Sequence, residues 1–266
     1  MLTTIKEIIL TVAKQELVPR FAKVCRELKA DGSFLTEADL VVQEKIFSGL
    51  KQHWPDVMCL GEEMSANEQQ RLLSSGHSVW ILDPLDGTSN FASGIPYFCI
   101  SLALLQEGKV TLAIVYDPMR DECFMVEKPA DATLNNRPLK LKDSGLSLEQ
   151  TTAIIDFKRL PQTLATRLAT QPPYSSQRSF GSVALDWCWL AAGRGQLYLH
   201  GKQNIWDYIA GQFIFQRAGG FSSTLSGDTV FINELTPRAV CGATDAHLFA
   251  AWQQWLDVNN TANHQK

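Results

Sequence analysis

Trp80-Ile81-Leu82-Asp83-Pro84-Leu85-Asp86-Gly87-Thr88-Ser89-Asn90-Phe91 is the stretch on which the reading of this chain turns. Val79 to Leu82 is an apolar run closed by turn residues, the pattern of a buried strand. It delivers two carboxylates, Asp83 and Asp86, into a turn that contains Pro84 and Gly87, and the Thr88 hydroxyl follows at once. Carboxylates at the end of a buried strand are costly unless paired or bound to a cation. Gly87 lets the backbone bend so that its N–H groups can face an anion. Hard oxygen donors beside such amides point to Mg²⁺ and a phosphate. Taken alone, the string also describes an ordinary Asp-Pro-Gly turn, so the rest of the chain has to decide.

The 266 residues suffice for one large domain or for two compact halves sharing a core. A hydrophobic fraction of 45% predicts an ordinary globular protein. With 24 basic and 28 acidic residues the net charge is -4, and the strongest basic run is only Lys158-Arg159. That argues against a nucleic-acid polymer as partner. No apolar run approaches a membrane span, and Ile5 to Glu16 lacks the apolar centre of a signal peptide. Cysteines 25, 59, 99, 123, 188 and 241 are scattered without metal-type pairing, mostly among apolar neighbours. They read as buried thiols in a reducing compartment, so a cytoplasmic protein is expected.

Ile5, Ile8, Ile9, Val12 and Ala13 follow a helical period that Val24 and Leu28 continue, with a bend or break at Pro19. Thr36 is placed as an N-cap with Asp39 at the third helical position, and Pro55 ends that helix. Val57 to Leu60 is a short strand running into Gly61-Glu62-Glu63, and 64–77 reads as polar surface. Strands at 98–105, 110–116 and 122–126 form an antiparallel meander. A strand at 151–157 and a helix at 160–169 follow, then a helix at 182–192 and a strand at 195–199. A helix at 206–218 ends at Gly219-Gly220. Short strands at 229–232 and 238–241 and a helix at 246–256 complete the chain, whose last ten residues read as frayed.

Four separated strings line up with one family: Lys29-Ala30-Asp31-Gly32-Ser33 with Thr36-Glu37-Ala38-Asp39; Gly61-Glu62-Glu63; Asp83-Pro84-Leu85-Asp86-Gly87-Thr88; and Trp206-Asp207-Tyr208-Ile209-Ala210-Gly211. Together, from about residue 5 to 255, they closely resemble the inositol monophosphatase family of Mg²⁺-dependent, lithium-sensitive phosphatases. The resemblance implies an α+β fold, a layered α-β-α-β-α sandwich. It implies one domain over 1–266, with a metal-binding half at about 1–145 and a second half at about 146–266, and usually a homodimer. It implies two or three Mg²⁺ on Glu62, Asp83, the Leu85 carbonyl, Asp86 and Asp207, inhibition by Li⁺, and phosphate binding by the Gly87 and Thr88 amides.

Residue by residue, Glu62 and Glu63 point opposite ways if extended, so one need face a site; the family pattern favours Glu62. Asp83 and Asp86 face one cation if Pro84-Leu85 curls. Asp207 is at once a first-turn acid and a metal ligand. Asp39 caps its own helix and, in the family pattern, orients Thr88; Lys29 is either a solvated lysine or a group at the site's mouth. Gly181-Ser182 resembles the segment lining the substrate side, and Asp186, among apolar residues, is expected to be a structural anchor. The resemblance also makes Asp86 and Asp207 substrate contacts. No Cys or His nucleophile stands in these motifs, so direct attack by metal-activated water, held by Glu62 and Thr88, is expected.

One position departs from the family. Seven residues before Asp207, where an acid often meets sugar-like hydroxyls, this chain has His200. A neutral imidazole hydrogen-bonds a hydroxyl but lacks two carboxylate oxygens. Lys202 and Lys29 favour a more anionic substrate, whereas Ser89-Asn90-Phe91 matches the monophosphatase pattern rather than the nucleotidase one. The expected substrate is a small polyol or sugar phosphate, inositol monophosphate first. A 3'(2'),5'-bisphosphate nucleotide, fructose 1,6-bisphosphate and histidinol phosphate are the alternatives. The non-enzymatic alternative is a metal-binding scaffold or regulatory dimer.

Overall fold

A computed structural model describes residues 1–21, 23, 27–28 and 34–260, with backbone only at 27, 28, 34, 35 and 260. Lys29, the 30–33 loop and Cys25 lie outside the described residues, as do 261–266 of the tail expected to fray. The chain opens with α1 (Leu2–Val12), the antiparallel pair β1 (Glu27–Leu28) and β2 (Phe34–Leu35), then α2 (Glu37–His53). Next come β3 (Met58–Gly61), α3 (Ala66–Leu73), β4 (Val79–Asp86) and α4 (Thr88–Ala92). The meander is β5 (Cys99–Gln106), β6 (Lys109–Asp117) and β7 (Glu122–Glu127), extended by β8 (Thr133–Leu134) and β9 (Arg137–Pro138). The second half holds β10 (Thr152–Asp156), α5 (Gln162–Thr170), β11 (Ser176–Arg178), α6 (Val183–Ala191) and β12 (Leu197–Gln203). It closes with α7 (Ile205–Arg217), β13 (Phe221–Thr224), β14 (Arg238–Ala243) and α8 (Ala246–Asn260).

Beside the β1-β2 pair, two larger sheets result among the described residues, ordered β3-β4-β5-β6-β7-β8-β9 and β11-β10-β12-β14-β13. Side-chain alternation decides what covers them. Trp80, Leu82, Ile100, Leu102 and Ile114 point to one face of the first sheet and pack on Ile5, Ile9, Val42 and Ile46 of α1 and α2. Ile81, Ala103, Val115 and Phe124 point the other way, onto Leu185, Ile209 and Phe213 of α6 and α7. Those helices are apolar nearly all round because Ile154, Tyr198 and Val240 of the second sheet cover their far side. Ala153, Ile155, Leu197 and Leu199 then face Leu164, Leu168, Leu248 and Trp252 of α5 and α8. The five layers are helix, sheet, helix, sheet, helix. Each buried Leu or Ile contributes about 1.5–3 kcal/mol of transfer free energy.

Four local expectations are corrected. The first helix does not continue to residue 28: α1 passes through a wider turn at Ala13–Leu17 into a tight one at Val18–Arg20. Pro19 there can donate no backbone N–H, and Leu28 stands in a strand. The polar 64–77 segment contains α3, capped by Ser65, whose Leu72, Leu73 and Gln69 are buried. The strand expected at 229–232 is absent, and Phe221–Thr224 pairs with β14 instead, as an edge strand with little apolar signal. The strand expected at 195–199 runs on to Gln203.

Candidate active site

Both sheets end at one rim. β3 and β4 are parallel, with Gly61 beside Leu82, and the Glu62 N–H continues the ladder by donating to Leu82 O at 3.1 Å. Glu62 is thereby carried next to Asp83. The antiparallel register of β4 against β5 shifts between Asp83 and Asp86, so three steps on β4 oppose two on β5. This irregularity curls Pro84-Leu85 and brings both aspartates to the rim. Gly87 follows at φ 98°, ψ 32°, a left-handed conformation, and caps the short helix α4. A Cβ there would stand 2.9 Å from Tyr97 O. From the other half, the Asn204 N–H donates to Asp207 Oδ2 at 2.8 Å, the reciprocal cap that fixes Asp207 in the first turn of α7.

Glu62, Asp83, Leu85, Asp86, Gly87, Thr88 and Asp207 therefore line one pocket. Asp83 and Asp86 are buried, whereas Glu62 and Asp207 are partly open. Burial, then the charges of Glu62, Asp86 and Asp207, hold the Asp83 carboxyl well above its usual range. Burial likewise raises Asp207, with Glu62 and Asp86 adding to it. Asp86 is pushed up to about 6 by burial, an effect its hydrogen bonds from Ser182 and Ala184 reduce. Four acids converging on one pocket repel each other, and a divalent cation is the group that relieves this. The donors are all oxygens, three aspartates, one glutamate and a main-chain carbonyl, the set a hard ion such as Mg²⁺ takes. Among the described residues no three or more His, Cys, Asp or Glu side chains stand close enough together to hold an ion as they are; the four acids line an open pocket.

Thr88 donates its hydroxyl to Leu85 O at 3.0 Å, with Asp39 Oδ1 at 3.4 Å. The other Asp39 oxygen accepts from Thr36 N–H and Oγ, both at 2.7 Å. Asp39 is thus helix cap and Thr88 neighbour together. Glu63 turns its N–H to Gln43 Oε1 at 3.3 Å. Gln69 of the unforeseen α3 donates to the carbonyls of Gly61 and Glu62 at 2.9 and 3.0 Å, clamping the end of β3.

The Ser182 hydroxyl is buried and donates to Asp86 Oδ2 at 2.7 Å, so it supports that carboxylate, and the residue also lines the cavity beside the acidic pocket. Asn90 uses its amide on Tyr97 O and Phe180 O, at 2.8 and 2.7 Å, which makes it a brace rather than a discriminator of substrate charge. Gly181, at φ 85°, lies against that amide. Asp186 accepts from the Tyr97 hydroxyl at 2.9 Å, and burial pushes its carboxyl well up.

A second cavity of about 280 Å³ opens beside the acidic pocket and shares Ser89, Arg159, Gly181, Val183, Asn204 and Asp207 with it. Asn90, Ser182 and Asp186 line this cavity too, and Asp156, Lys158, His200 and Lys202 stand on its other side. Asp156 and Arg159 escaped the sequence reading. Their only signal was their place at the C-terminal end of a strand, where ligands gather in sheets of this kind. His200 is corrected as well. Its Nε2 lies 3.1 Å from Asp156 Oδ2, and its Nδ1 accepts the Lys202 N–H at 3.2 Å. Neither ring nitrogen is left for a substrate hydroxyl.

The model of the inositol monophosphatase family matches residues 2–256. The chain belongs to the inositol monophosphatase family. Inositol monophosphatase 1 of Solanum lycopersicum is 35% identical over 237 residues, covering 87% of this chain and 85% of the relative. A Nus factor SuhB of Xylella fastidiosa is 32% identical over 203 residues, 75% of this chain and 72% of the relative. The solved Thermotoga maritima IMPase superposes with a TM-score of 0.81 at 25% identity, over 96% of this chain and 94% of that one. As a family member with this fold, the protein is a phosphomonoester hydrolase, and members of the family act on small phosphorylated metabolites.

Proposed function

We propose that this phosphatase is Mg²⁺-dependent and hydrolyses a small polyol or sugar monophosphate, inositol monophosphate first. The observation that supports this is the convergence of Glu62, Asp83, the Leu85 segment, Asp86 and Asp207 on one pocket that opens into a small polar cavity. Those five groups are the ones that would hold two or three ions. When bound, Mg²⁺ neutralises phosphate oxygens and lowers the pKa of a water. The residues do the rest. Gly87 turns the backbone so that the Gly87 and Thr88 amides receive the phosphate, and Thr88 and Glu62 hold the attacking water in line with the ester. Thr88 is steadied by the Leu85 carbonyl and Asp39. Asp207 and Asn204 border the leaving-group side.

The same reading makes the enzyme a single-domain cytoplasmic homodimer inhibited by Li⁺. Buried free thiols at Cys59, Cys99, Cys123, Cys188 and Cys241 support the reducing location. The deciding experiment compares kcat/KM for inositol monophosphate, adenosine 3',5'-bisphosphate, fructose 1,6-bisphosphate and histidinol phosphate under one Mg²⁺ condition. Inositol monophosphate is expected to lead. A preference of more than about tenfold, roughly 1.4 kcal/mol, for any other overturns the substrate, and Mg²⁺-independent turnover overturns the cofactor.

A further inference from the structure

β10 and β12 lie parallel with Asp156 and His200 as register partners, so both side chains leave the sheet together at its pocket end. His200 is buried and both its nitrogens are engaged. Because Nδ1 accepts the Lys202 N–H, the ring proton sits on Nε2 and is donated to Asp156 Oδ2. The Asp156 carboxylate is held from its other side as well, Oδ1 accepting the Lys158 N–H at 2.7 Å. Its side chain keeps 27% exposure and stands in the wall of the cavity that Asp207 and Asn204 share with the acidic pocket. A carboxylate oxygen accepts more than one hydrogen bond, so each retains an acceptor site for the cavity.

We propose that Asp156 is the residue that recognises the substrate's hydroxyl groups, with His200 as its positioning residue. The acid that the resembled pattern carries at the position of His200 is thus moved one strand over, onto β10. This rests on the polyol-phosphate reading above and deepens it: the substrate carries vicinal hydroxyls close to its phosphate ester. Burial alone would raise the Asp156 carboxyl, but the His200 hydrogen bond, the Lys158 N–H and Arg159 hold it below its usual range, so the acceptor is ionised at neutral pH. Lys158, Arg159 and Lys202 are exposed around it. They draw an anionic phosphomonoester to the mouth without replacing the acceptor inside.

The experiment sets inositol 1-phosphate against p-nitrophenyl phosphate, which has the ester but no polyol, with Mg²⁺ present. Asp156→Ala should lower kcat/KM for inositol 1-phosphate about 10- to 100-fold more than for p-nitrophenyl phosphate, the loss of a hydrogen bond to a charged acceptor. Asp156→Asn should fall between. His200→Ala, which frees the carboxylate, should raise KM for inositol 1-phosphate several-fold while kcat stays within about twofold, and His200→Gln, which keeps a donor, should recover most of that. The double variant Asp156→Ala, His200→Glu should regain polyol discrimination by returning the acid to β12. Equal losses on both substrates in Asp156→Ala overturn the assignment. So does a wild-type preference for fructose 1,6-bisphosphate that survives Asp156→Ala. If the unaltered enzyme hydrolyses neither substrate with Mg²⁺, the function reading itself has failed, a result distinct from the other two.

Discussion

Ser182 reaches across 96 residues of sequence to donate its hydroxyl to Asp86 Oδ2 at 2.7 Å, and the Ala184 N–H donates to the same oxygen at 2.6 Å. Asp86 thereby caps the start of α6 from a different element, and the two halves of the molecule are joined at a residue proposed to hold the metal. Bonds of this kind favour the ionised carboxylate against the burial that disfavours it.

Ser182→Ala removes a support of Asp86 at a residue that also lines the neighbouring cavity. One buried hydrogen bond to a charged group is worth about 1.5–3 kcal/mol. The Mg²⁺ concentration for half-maximal activity should rise about tenfold or more, while saturating Mg²⁺ restores most of kcat. An unchanged Mg²⁺ requirement would remove Asp86 from the ligand set or Ser182 from its support.

The raised carboxyls of Asp83, Asp86 and Asp207 make a prediction for the metal-free protein. For an acid whose folded pKa lies above its unfolded value, the folded state binds more protons in the interval between the two. Stability from these groups is thus greatest below their unfolded values, about pH 4, and is lost as pH rises, for Asp86 through about 6 and for Asp83 and Asp207, whose carboxyls are also raised, as each ionises. With chelator present, Tm should fall between pH 5 and 7.5. Mg²⁺ should reverse the fall at pH 7.5 and have little effect at pH 5, where protons compete for the same oxygens. Equal Tm values with and without Mg²⁺ at pH 7.5 would count against a metal at this cluster.

Much of this was legible in the sequence because the signals were local. Apolar runs bounded by turn residues marked β4 to β7, and Asp83 and Asp86 stood out as two carboxylates at the end of a buried strand. Thr36 and Asp39 carried their capping box in four consecutive residues. What escaped depends on pairings between distant segments. Asp156 meets His200 because β10 runs parallel to β12, and parallel strands are joined through long crossovers that no short window reveals. α3 was hidden because a helix clamping the end of β3 from the surface exposes one polar face and buries only Gln69, Leu72 and Leu73. The wrong strand at 229–232 followed apolar content, whereas the edge strand β13 is made by pairing with β14.

Gln69 gives a test of that hidden helix. Its amide satisfies the carbonyls of both Gly61 and Glu62 from a buried position. Gln69→Leu keeps the volume and removes the donor, leaving two carbonyls without it at the strand end that bears Glu62. A stability loss of about 1–3 kcal/mol in denaturant unfolding is expected. A fall in kcat should accompany it, because Glu62 is no longer fixed beside Asp83. Gln69→Glu should be worse, since it adds a charge against two carbonyl oxygens. Wild-type kcat in a destabilised Gln69→Leu enzyme would show that the clamp serves folding alone.

Gly87→Ala tests the turn that joins the aspartates to Thr88. Two costs coincide there. The left-handed conformation at φ 98° costs a non-glycine residue about 1–2 kcal/mol. The new methyl would also stand 2.9 Å from Tyr97 O. That oxygen has little room to yield, because Asn90 Nδ2 holds it at 2.8 Å and binds Phe180 O as well. Relief must come from the backbone of 86–88, which moves Asp86 and the proposed phosphate amides together and breaks the alignment of Thr88 Oγ with Leu85 O. The enzyme should stay folded, with Tm lowered by a few degrees, yet lose at least about 100-fold in kcat/KM, since small displacements of positioning groups are that costly. Circular dichroism and single-turnover kinetics on one preparation check both halves. A Gly87→Ala enzyme within threefold of wild-type activity would show that neither the bend at Gly87 nor its amide is part of the phosphate cradle.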